Sequence, residues 1–329
     1  MRVLVTGGAG FIGSHVCDAL LARGHEVVAL DDLSRGKPEN LDARVRLIVA
    51  DVRTPAAAGA IQAWRPQAIC HLAAQISVRH SVDHPGADAD LNVLGLINVL
   101  EAARRAGAKK VVFSSTGGAI YGEQDAHPAP ETHALRPVSP YGCAKAAGEL
   151  YLGYYHRQYA LQGVALRYAN VYGPRQDPHG EAGVVAIFCQ RLLAGLACDI
   201  YGSGEQTRDF VYVADVARAN VLAVESGFAG TLNIGTGVET SVNRLYALLA
   251  RAAAASKVND SAPRHLPAKA GEQMRSSIDA AAAGRALGWR PQTPLEDGLR
   301  ATLDFFRVVL SDRVPSTPPR ITQAKVATG

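Results

Sequence analysis

The segment that most constrains the fold is a glycine-rich turn between a short apolar strand and a helix. Residues 3–5 (VLV) form an aliphatic run that stops at residues 7–13 (GGAGFIG), and helical spacing of apolar residues follows from Ser14. Glycines let such a turn bend tightly and approach a pyrophosphate, whose charge is then held by N–H groups at the helix N-terminus. This unit predicts a parallel α/β sheet with a nucleotide bound at the turn.

Two carboxylates, Asp31 and Asp32, come directly after the second predicted strand, residues 27–30. A carboxylate at this position binds the ribose hydroxyls of an adenine dinucleotide and repels a 2′-phosphate. NAD is therefore favoured over NADP, with Arg35 and Lys37 close by as the features that weaken this preference.

Strands and helices alternate through the first half of the chain. Further buried strands are predicted at residues 45–49, 68–72 and 111–116, and a long amphipathic helix is predicted over residues 88–106. The alternation predicts an α/β fold with a doubly wound parallel sheet of the Rossmann type. His71 lies inside an apolar strand, so we interpret it as a core histidine with a satisfied ring.

The composition changes after the Gly-Pro-Arg sequence that ends at residue 175, where glycine and proline mark the entry into a second region. We expect residues 1–175 to form the NAD-binding domain, with residues of about 209–235 returning to it. Residues 176–310 then form a smaller C-terminal α/β region that binds the substrate, and residues 311–329 form a tail with little apolar content.

Tyr141 and Lys145 lie four residues apart at the start of a predicted helix, so their side chains share a face. A nearby ammonium favours a phenolate and lowers the pKa of the phenol, which makes Tyr141 a candidate general base. An ordinary surface pairing is the alternative for a spacing this short. The strand before this helix ends in hydroxyls at residues 114–116, at the edge where an open parallel sheet meets its ligands.

Charge and cysteine content exclude several classes of protein. The 329 residues carry 34 basic and 30 acidic side chains and a net charge of +4, without the basic stripe of a nucleic-acid-binding protein. Five cysteines without CxxC spacing argue against a disulfide scaffold and a metal site, and favour a reduced, cytoplasmic protein. No apolar run near the N-terminus is long enough for a signal peptide or a membrane span.

Taken together, these motifs resemble the extended short-chain dehydrogenase/reductase family, and within it the UDP-glucose 4-epimerase group. The matching segments occur in the family's order: residues 6–13, 71–75, 114–122, 139–145, 167–175, 177–188, 208–211 and 233–237. The resemblance extends to about Arg307, and the segment 177–188 is the one most specific to epimerase-like proteins.

The resemblance implies that NAD is the cofactor and that it contacts the glycine turn, the ends of the sheet strands and the Tyr-Lys pair. The implied NAD ligands are Gly7, Gly10, Phe11, Ile12, Gly13, Asp31, Asp32, Ser34, Asp51, Val52, Leu72, Ala73, Ala74, Gln75, Asn92, Ser114, Tyr141, Lys145 and Tyr168.

The resemblance also implies the catalytic roles. Tyr141 takes the proton from the sugar 4-hydroxyl while a hydride passes from C4 to NAD, and the resulting 4-keto sugar rotates and takes the hydride back on its other face. Lys145 binds the nicotinamide ribose and, with the positive nicotinamide, lowers the pKa of Tyr141. Thr116 corresponds to the hydroxyl that holds the reacting oxygen, with Ser115 as the rival because the turn at Gly117 carries an extra residue.

The implied substrate is a UDP-sugar held by the second region as well as by Thr116 and Tyr141. By resemblance, Asn170 and Arg208 contact the diphosphate, and Val184, Ile200 and Tyr201 lie near the uridine. Lys269 stands where the family has its second phosphate-binding arginine, so either Lys269 or Arg275 is expected to supply this contact.

Two other UDP-sugars are alternative substrates. Ser276 occupies a position where a small residue leaves room for an acetamido group, so UDP-N-acetylglucosamine is an alternative substrate. UDP-glucuronate is another, with Arg79, Arg175 or His179 as possible carboxylate ligands.

Two alternative interpretations would assign a different function to the protein. A 4,6-dehydratase needs an Asp-Glu pair where this chain has Gly117 and Gly118, and a non-catalytic NAD-binding scaffold would lack Tyr141 or Lys145. The resemblance further favours a homodimer formed by the helix near residues 88–106 and the helix that begins at Tyr141.

Overall fold

The computed structural model describes residues 1–179, 183–254, 262–268 and 273–311. Its centre is a seven-stranded sheet in the order β10-β6-β5-β4-β1-β2-β3, and every pairing in it is parallel. The strands are β1 Arg2–Thr6, β2 Glu26–Asp31, β3 Arg46–Val49, β4 Ala68–His71, β5 Lys110–Thr116, β6 Gln162–Tyr168 and β10 Gly230–Ile234. The strand order reverses between β1 and β4, which is where a doubly wound sheet opens a ligand crevice. The predicted fold class is confirmed.

Helices cover both faces of this sheet. They are α1 Phe11–Ala22, α2 Pro55–Trp64, α3 Val78–Asp83, α4 Pro85–Ala89, α5 Gly95–Ala106, α6 Gly117–Ile120, α7 Pro140–Tyr159 and α9 Val213–Glu225, with a short 3₁₀ turn at Pro38–Asn40. Leu20 of α1 and Val216 of α9 belong to the core on one face, whereas Ile61, Leu100 and Leu152 of α2, α5 and α7 belong to the core on the other. The strands are apolar on both sides because both sides are buried.

A smaller unit with its own core follows the sheet. It contains α8 Val184–Leu193, α10 Val242–Ala254 and α12 Leu295–Ser311, with α11 Ala281–Leu287 packed back on the first core. Its short strands are β7 Asn170–Tyr172, β8 Asp199–Tyr201, β9 Thr207–Tyr212, β11 Glu239–Ser241 and β12 Arg264–Leu266, paired as β11-β9-β7 and β12-β8. Strands β7, β11 and β12 have three residues each, too few to show a periodic pattern in the sequence.

The chain crosses between the two units more than once. Helix α9 and strand β10 lie with the large sheet, whereas β9, which precedes them, lies in the small three-stranded sheet. The division into residues 1–175 and 176–310 stays a prediction, and the proposed tail lies outside the described residues except at its first position.

The helix predicted over residues 88–106 is present, but its geometry is not α-helical throughout. A π-helical segment, Asp90–Leu94, separates α4 from α5. Within it the buried side chain of Asn92 bonds both the N–H and the C=O of Gln75, at 3.0 and 2.9 Å. Single π turns commonly mark functional sites. The predicted helix is confirmed, and its π turn coincides with a contact to Gln75, a residue distant in sequence.

In the part of the chain described, no helix has the length and apolar character needed to cross a membrane.

Candidate active site

The glycine turn joins β1 to α1 at the crevice and leaves space only for backbone. Gly7 has φ +66°, and a Cβ there would lie 2.7 Å from the backbone nitrogen of Ala73 at the end of β4. A Cβ on Gly13 would lie 2.0 Å from the carbonyl oxygen of Gly7. The helix cap, Gly10, has no side-chain hydrogen bond, so the first-turn N–H groups at Phe11 and Ile12 face the turn without a side-chain cap. This cradle fits the pyrophosphate of a dinucleotide.

Asp31 ties the end of β2 to the glycine turn. Its Oδ2 accepts from the N–H of Ala9 at 3.0 Å and its Oδ1 accepts from that of Leu33 at 2.9 Å. Burial raises the pKa of Asp31, and these backbone donors oppose the rise. Asp32 is exposed and accepts from the N–H and the hydroxyl of Ser34, at 3.0 and 2.7 Å. Ribose binding by these residues stays a prediction.

Asp51 and Val52, predicted NAD ligands after β3, lie next to an ion-pair chain. Arg53 binds Asp51 at 2.5 Å and Asp90 at 2.8 Å, and this guanidinium lowers the pKa of Asp51. The carbonyl of Val52 accepts from Asn98 at 2.6 Å. These contacts hold the backbone of the turn in one conformation beside the sheet.

His71, the last residue of β4, is 1% exposed, and its Nδ1 lies 2.8 Å from Oγ1 of Thr6. Burial lowers the pKa of this imidazole to about 3, with the charge of Lys145 adding to the effect. The interpretation of His71 as a satisfied core histidine is confirmed. After it, Leu72, Ala73 and Ala74 are half-buried, and Leu72 and Ala73 lie against Gly7 of the glycine turn.

Helix α7 begins with a well-formed cap that presents Tyr141 and Lys145 together. Ser139 accepts from the N–H of Gly142 at 3.2 Å, and Pro140 occupies the first turn. Lys145 Nζ donates to the carbonyl of Ser114 at 2.9 Å and lies 5.7 Å from the centre of the Tyr141 ring. The shared face expected from the spacing is confirmed, and the buried Lys145 excludes an ordinary surface pair.

The pKa of Tyr141 does not follow the expectation. Burial, and secondarily the negative charge of Asp88, raise the pKa of Tyr141 above its ordinary value. Burial also lowers the pKa of Lys145 to about 8, and the carboxylates of Asp88 and Glu149 oppose that change. The protein residues alone therefore do not lower the pKa of the phenol, because desolvation outweighs the nearby ammonium.

The hydroxyls of Ser115 and Thr116, at the end of β5, make different contacts. Ser115 is buried and donates to Glu149 at 2.6 Å, on the side of the strand facing α7. Thr116 is half-buried and caps α6 by accepting from the N–H of Ala119 at 3.2 Å. A Cβ on Gly142 would lie 2.5 Å from the carbonyl of Ala119, so the turn that Thr116 caps touches the start of α7 beside Tyr141. This favours Thr116 over Ser115 as the substrate-binding hydroxyl.

Two further predicted ligands follow β6. Tyr168 is buried, with its hydroxyl 3.1 Å from Oδ1 and 2.8 Å from Nδ2 of Asn220 on α9. Contact of Tyr168 with the cofactor stays a prediction. Asn170 is exposed, and its Oδ1 lies near Gly118 in the turn after Thr116.

The predicted uridine and diphosphate ligands lie on the small unit. Val184 starts α8 and is half-buried, Ile200 is buried in the core, and Tyr201 beside it is exposed. Contact of Ile200 with the uridine stays a prediction, since the whole residue is buried. Arg208 is half-buried on β9 and donates to the carbonyl of Thr207 at 2.8 Å.

The two candidates for the second phosphate contact differ in their surroundings. Arg275 is exposed and bound at both ends of its guanidinium by Glu239, with the closest contact at 2.5 Å. Lys269 lies outside the described residues. Of the residues considered for a glucuronate carboxylate, Arg175 pairs with Asp18 of α1 at 2.7 Å.

No group of three His, Cys, Asp or Glu side chains suited to a metal ion occurs among the described residues. All five cysteines are free, and four of them are buried.

A model of the NAD dependent epimerase/dehydratase family matches residues 3–235. The chain belongs to this family. Its relatives include the UDP-glucose 4-epimerase of Mycolicibacterium smegmatis, 48% identical over 313 residues that cover 93% of this chain and 99% of the relative.

Solved structures of the family agree with this assignment over the same length. The UDP-glucose 4-epimerase of Thermotoga maritima with UDP-glucose is 47% identical, with a TM-score of 0.90 and coverage of 94% of this chain and 100% of that one. The UDP-glucose 4-epimerase of Thermus thermophilus in complex with NAD is also 47% identical, with a TM-score of 0.87 and coverage of 93% and 99%.

Three features of this family member were not predicted from its sequence. Ser81 of α3 accepts from the N–H of Tyr141 at 3.2 Å. Asp209 is buried and accepts from the N–H groups of Thr236 and Gly237, at 2.9 and 3.0 Å, which joins the strand of Arg208 to the end of β10. Asp88 is buried beside Asn92. Its spacing of four residues from Asn92 on a helix was the available signal, because such polar pairs share one face.

Proposed function

We propose that the protein catalyses the NAD-dependent 4-epimerisation of a UDP-hexose, interconverting UDP-glucose and UDP-galactose through a transient 4-keto sugar. The observation that carries the proposal is the buried Lys145 held at the carbonyl of Ser114 with the Tyr141 ring beside it, at the edge of the sheet that carries the glycine turn. Relatives of nearly equal length that are called UDP-glucose 4-epimerases support it.

Each residue of the pair has a defined task. NAD, when bound, supplies the acceptor that takes a hydride from C4 and returns it. Tyr141 removes the proton from the 4-hydroxyl and gives it back after the sugar has turned, and Thr116 donates a hydrogen bond to the same oxygen. Lys145 holds the nicotinamide ribose and places its positive charge beside the phenol. Proton and hydride both return to the sugar, so no net oxidation results.

Diphosphate binding keeps the keto sugar from leaving while it turns. Asn170 and Arg208 hold the phosphates, with Lys269 or Arg275 as the second cation. The bidentate pair of Arg275 with Glu239 favours Lys269, because Arg275 would have to give up its carboxylate partner.

The turn after Thr116 favours epimerisation over dehydration. A 4,6-dehydratase needs acidic side chains in this turn. Gly117 is buried here, and a Cβ at that position would lie 2.8 Å from Cδ1 of Ile278. An aspartate would fit only if Ile278 moved, so this turn has no group to remove a proton from C5 and protonate a leaving hydroxyl.

The identity of the sugar is tested by a panel of substrates. Purified holoenzyme without added oxidant is incubated separately with UDP-glucose, UDP-N-acetylglucosamine and UDP-glucuronate, and products are resolved by chromatography and NMR. We expect UDP-glucose to give UDP-galactose with the highest kcat/KM. The small, buried Ser276 predicts that UDP-N-acetylglucosamine is converted within about 100-fold of that value, since pocket size discriminates only modestly.

Other results of the panel would contradict the proposal. A 4-keto-6-deoxy product would assign dehydration. Conversion of UDP-glucuronate alone would move the assignment to a 4-epimerase for that acid, and no conversion of any sugar would leave a non-catalytic NAD-binding protein.

We also propose that the enzyme is a homodimer formed by α5 and α7 with their copies. Exposed apolar side chains lie on α7, namely Leu150 at 73%, Tyr151 at 38% and Tyr154 at 45% exposure, and Leu94 of the π-helical segment before α5 is 57% exposed. Large apolar side chains left exposed on neighbouring helices are typical of an interface. We expect light scattering to give twice the monomer mass, and Leu150→Asp to shift it to the monomer. A monomeric wild-type protein at micromolar concentration would contradict the proposal.

The cytoplasmic location stays a prediction from the cysteine content.

A further inference from the structure

Asp88 is a buried carboxylate with one oxygen bound and one oxygen without a partner. It is 0% exposed, and its Oδ1 accepts from Gln75 Nε2 at 3.0 Å and from Asn92 Nδ2 at 2.9 Å. No donor among the described residues reaches Oδ2, which is itself buried. An ionised carboxylate kept out of water in this way is costly unless a positive charge lies nearby.

Helix α4 and the π-helical segment both pack against α7, which carries the reacting residues. This packing brings Asp88 into electrostatic contact with Lys145 and Tyr141 of α7 and with His80 of α3. Lys145 in turn faces Asp88, Glu149 one turn further along α7, and His71 of β4. Glu149 is already paired with Arg167 at 2.6 Å. Of the two carboxylates near Lys145, Glu149 is paired with an arginine and Asp88, among the described residues, is not.

We propose that Asp88 is a positioning residue whose carboxylate is the counter-charge of Lys145, keeping it an ammonium ion and thereby setting the pH range in which Tyr141 works as a base. The inference rests on the proposed epimerase function and adds a residue to it. Asp88 touches neither the sugar nor the cofactor and acts through Lys145. Its second task is to hold Gln75, which follows β4, and Asn92 of the π-helical segment.

The direction of the effect follows from the sign of the charge. Burial lowers the pKa of Lys145 to about 8, and the negative charge of Asp88 opposes this fall. The same charge adds to the burial that raises the pKa of Tyr141. A carboxylate thus raises both values, because it favours the more positive form of every neighbour. Removing it should lower both together.

The test uses Asp88→Asn in the holoenzyme. Asparagine keeps an oxygen for Gln75 and Asn92 and removes only the charge. We expect both limbs of the pH profile of kcat/KM for UDP-glucose to move to lower pH by about one unit. The matched control is Asp83→Asn at the end of the neighbouring helix α3, a residue that is exposed. That variant should leave the profile in place, since solvent screens an exposed charge.

A second measurement does not depend on turnover. The ultraviolet tyrosinate band is titrated in the wild type and in Asp88→Asn, each against its own Tyr141→Phe derivative, so that the difference isolates Tyr141. We expect Tyr141 to ionise at lower pH in Asp88→Asn. If this titration and the kinetic limbs stay in place while activity falls equally at all pH values, Asp88 is only a structural ligand of Gln75 and Asn92 and the inference fails. If the wild type converts no sugar, the proposed function fails, and the titration still decides the role of Asp88.

Discussion

Tyr141→Phe lowers kcat by about 1,000-fold, the size expected when a positioned general base is lost. The substitution removes the hydroxyl that we propose exchanges a proton with the sugar, and it leaves the packing of the ring unchanged. No hydrogen bond from the described residues reaches this hydroxyl, so its removal leaves no donor or acceptor unpaired. The measurement is the initial rate of UDP-galactose formation, with circular dichroism and bound NAD determined on the same sample.

The control for this variant is Tyr159→Phe at the end of the same helix. Tyr159 is 42% exposed, and its hydroxyl lies 3.3 Å from that of Tyr154, far along α7 from the crevice. Its activity should stay within about twofold of wild type, as for most exposed substitutions. A Tyr141→Phe enzyme that keeps more than a tenth of the wild-type rate would show that another group takes the proton.

Arg167→Met lowers the free energy of unfolding by about 3–5 kcal/mol, because it leaves Glu149 buried without its counter-charge. The pair is 6% and 8% exposed, with two hydrogen bonds of 2.9 and 2.6 Å between guanidinium and carboxylate. Arg167 also donates to the hydroxyl of Tyr121 at 2.8 Å. Urea unfolding followed by fluorescence measures the loss.

Two further variants separate the ion pair from the general effect of losing an arginine. Arg300→Met breaks an exposed pair with Asp297, 66% and 59% exposed, and should change the free energy of unfolding by less than about 1 kcal/mol. Arg167→Met combined with Glu149→Leu removes both charges, and should recover part of the loss since no unpaired ion remains. A double variant less stable than Arg167→Met would contradict this account.

The same ion pair links stability to the active site. Glu149 lies one helical turn after Lys145 and accepts from Ser115, which neighbours the Ser114 carbonyl that holds Lys145. The pair thus fastens α7 to the ends of β5 and β6 where the reacting groups lie. We infer that the position of Lys145 depends on a contact that contributes nothing to the chemistry itself.

Local patterns were sufficient for the large sheet and for the pair at the start of α7. Apolar runs, glycine at a turn and a spacing of four residues are all properties of neighbours in sequence, and the physics that they report acts over one or two turns of chain. The parallel strands, the glycine cradle and the shared face of Tyr141 and Lys145 were predicted from them, and His71 was correctly interpreted as a core residue.

Contacts between distant segments decided the rest. The hydrogen bond from Ser115 to Glu149 of α7, 34 residues away, is what distinguishes Ser115 from Thr116. The π turn at Asn92 carries a contact to Gln75, 17 residues away, and the role that we propose for Asp88 requires the packing of α4 on α7.

The sequence by itself determined which groups lie in the glycine turn and at positions 141 and 145, since their spacing specifies both the turn and the helical face. Only the tertiary structure decided their ionisation. Desolvation depends on everything that packs around a group, and here it raises the pKa of Tyr141 despite the ammonium beside it, while Asp88 opposes the fall in the pKa of Lys145. The turn and the helix are therefore local properties of this chain, and the strength of its base is a property of the whole fold.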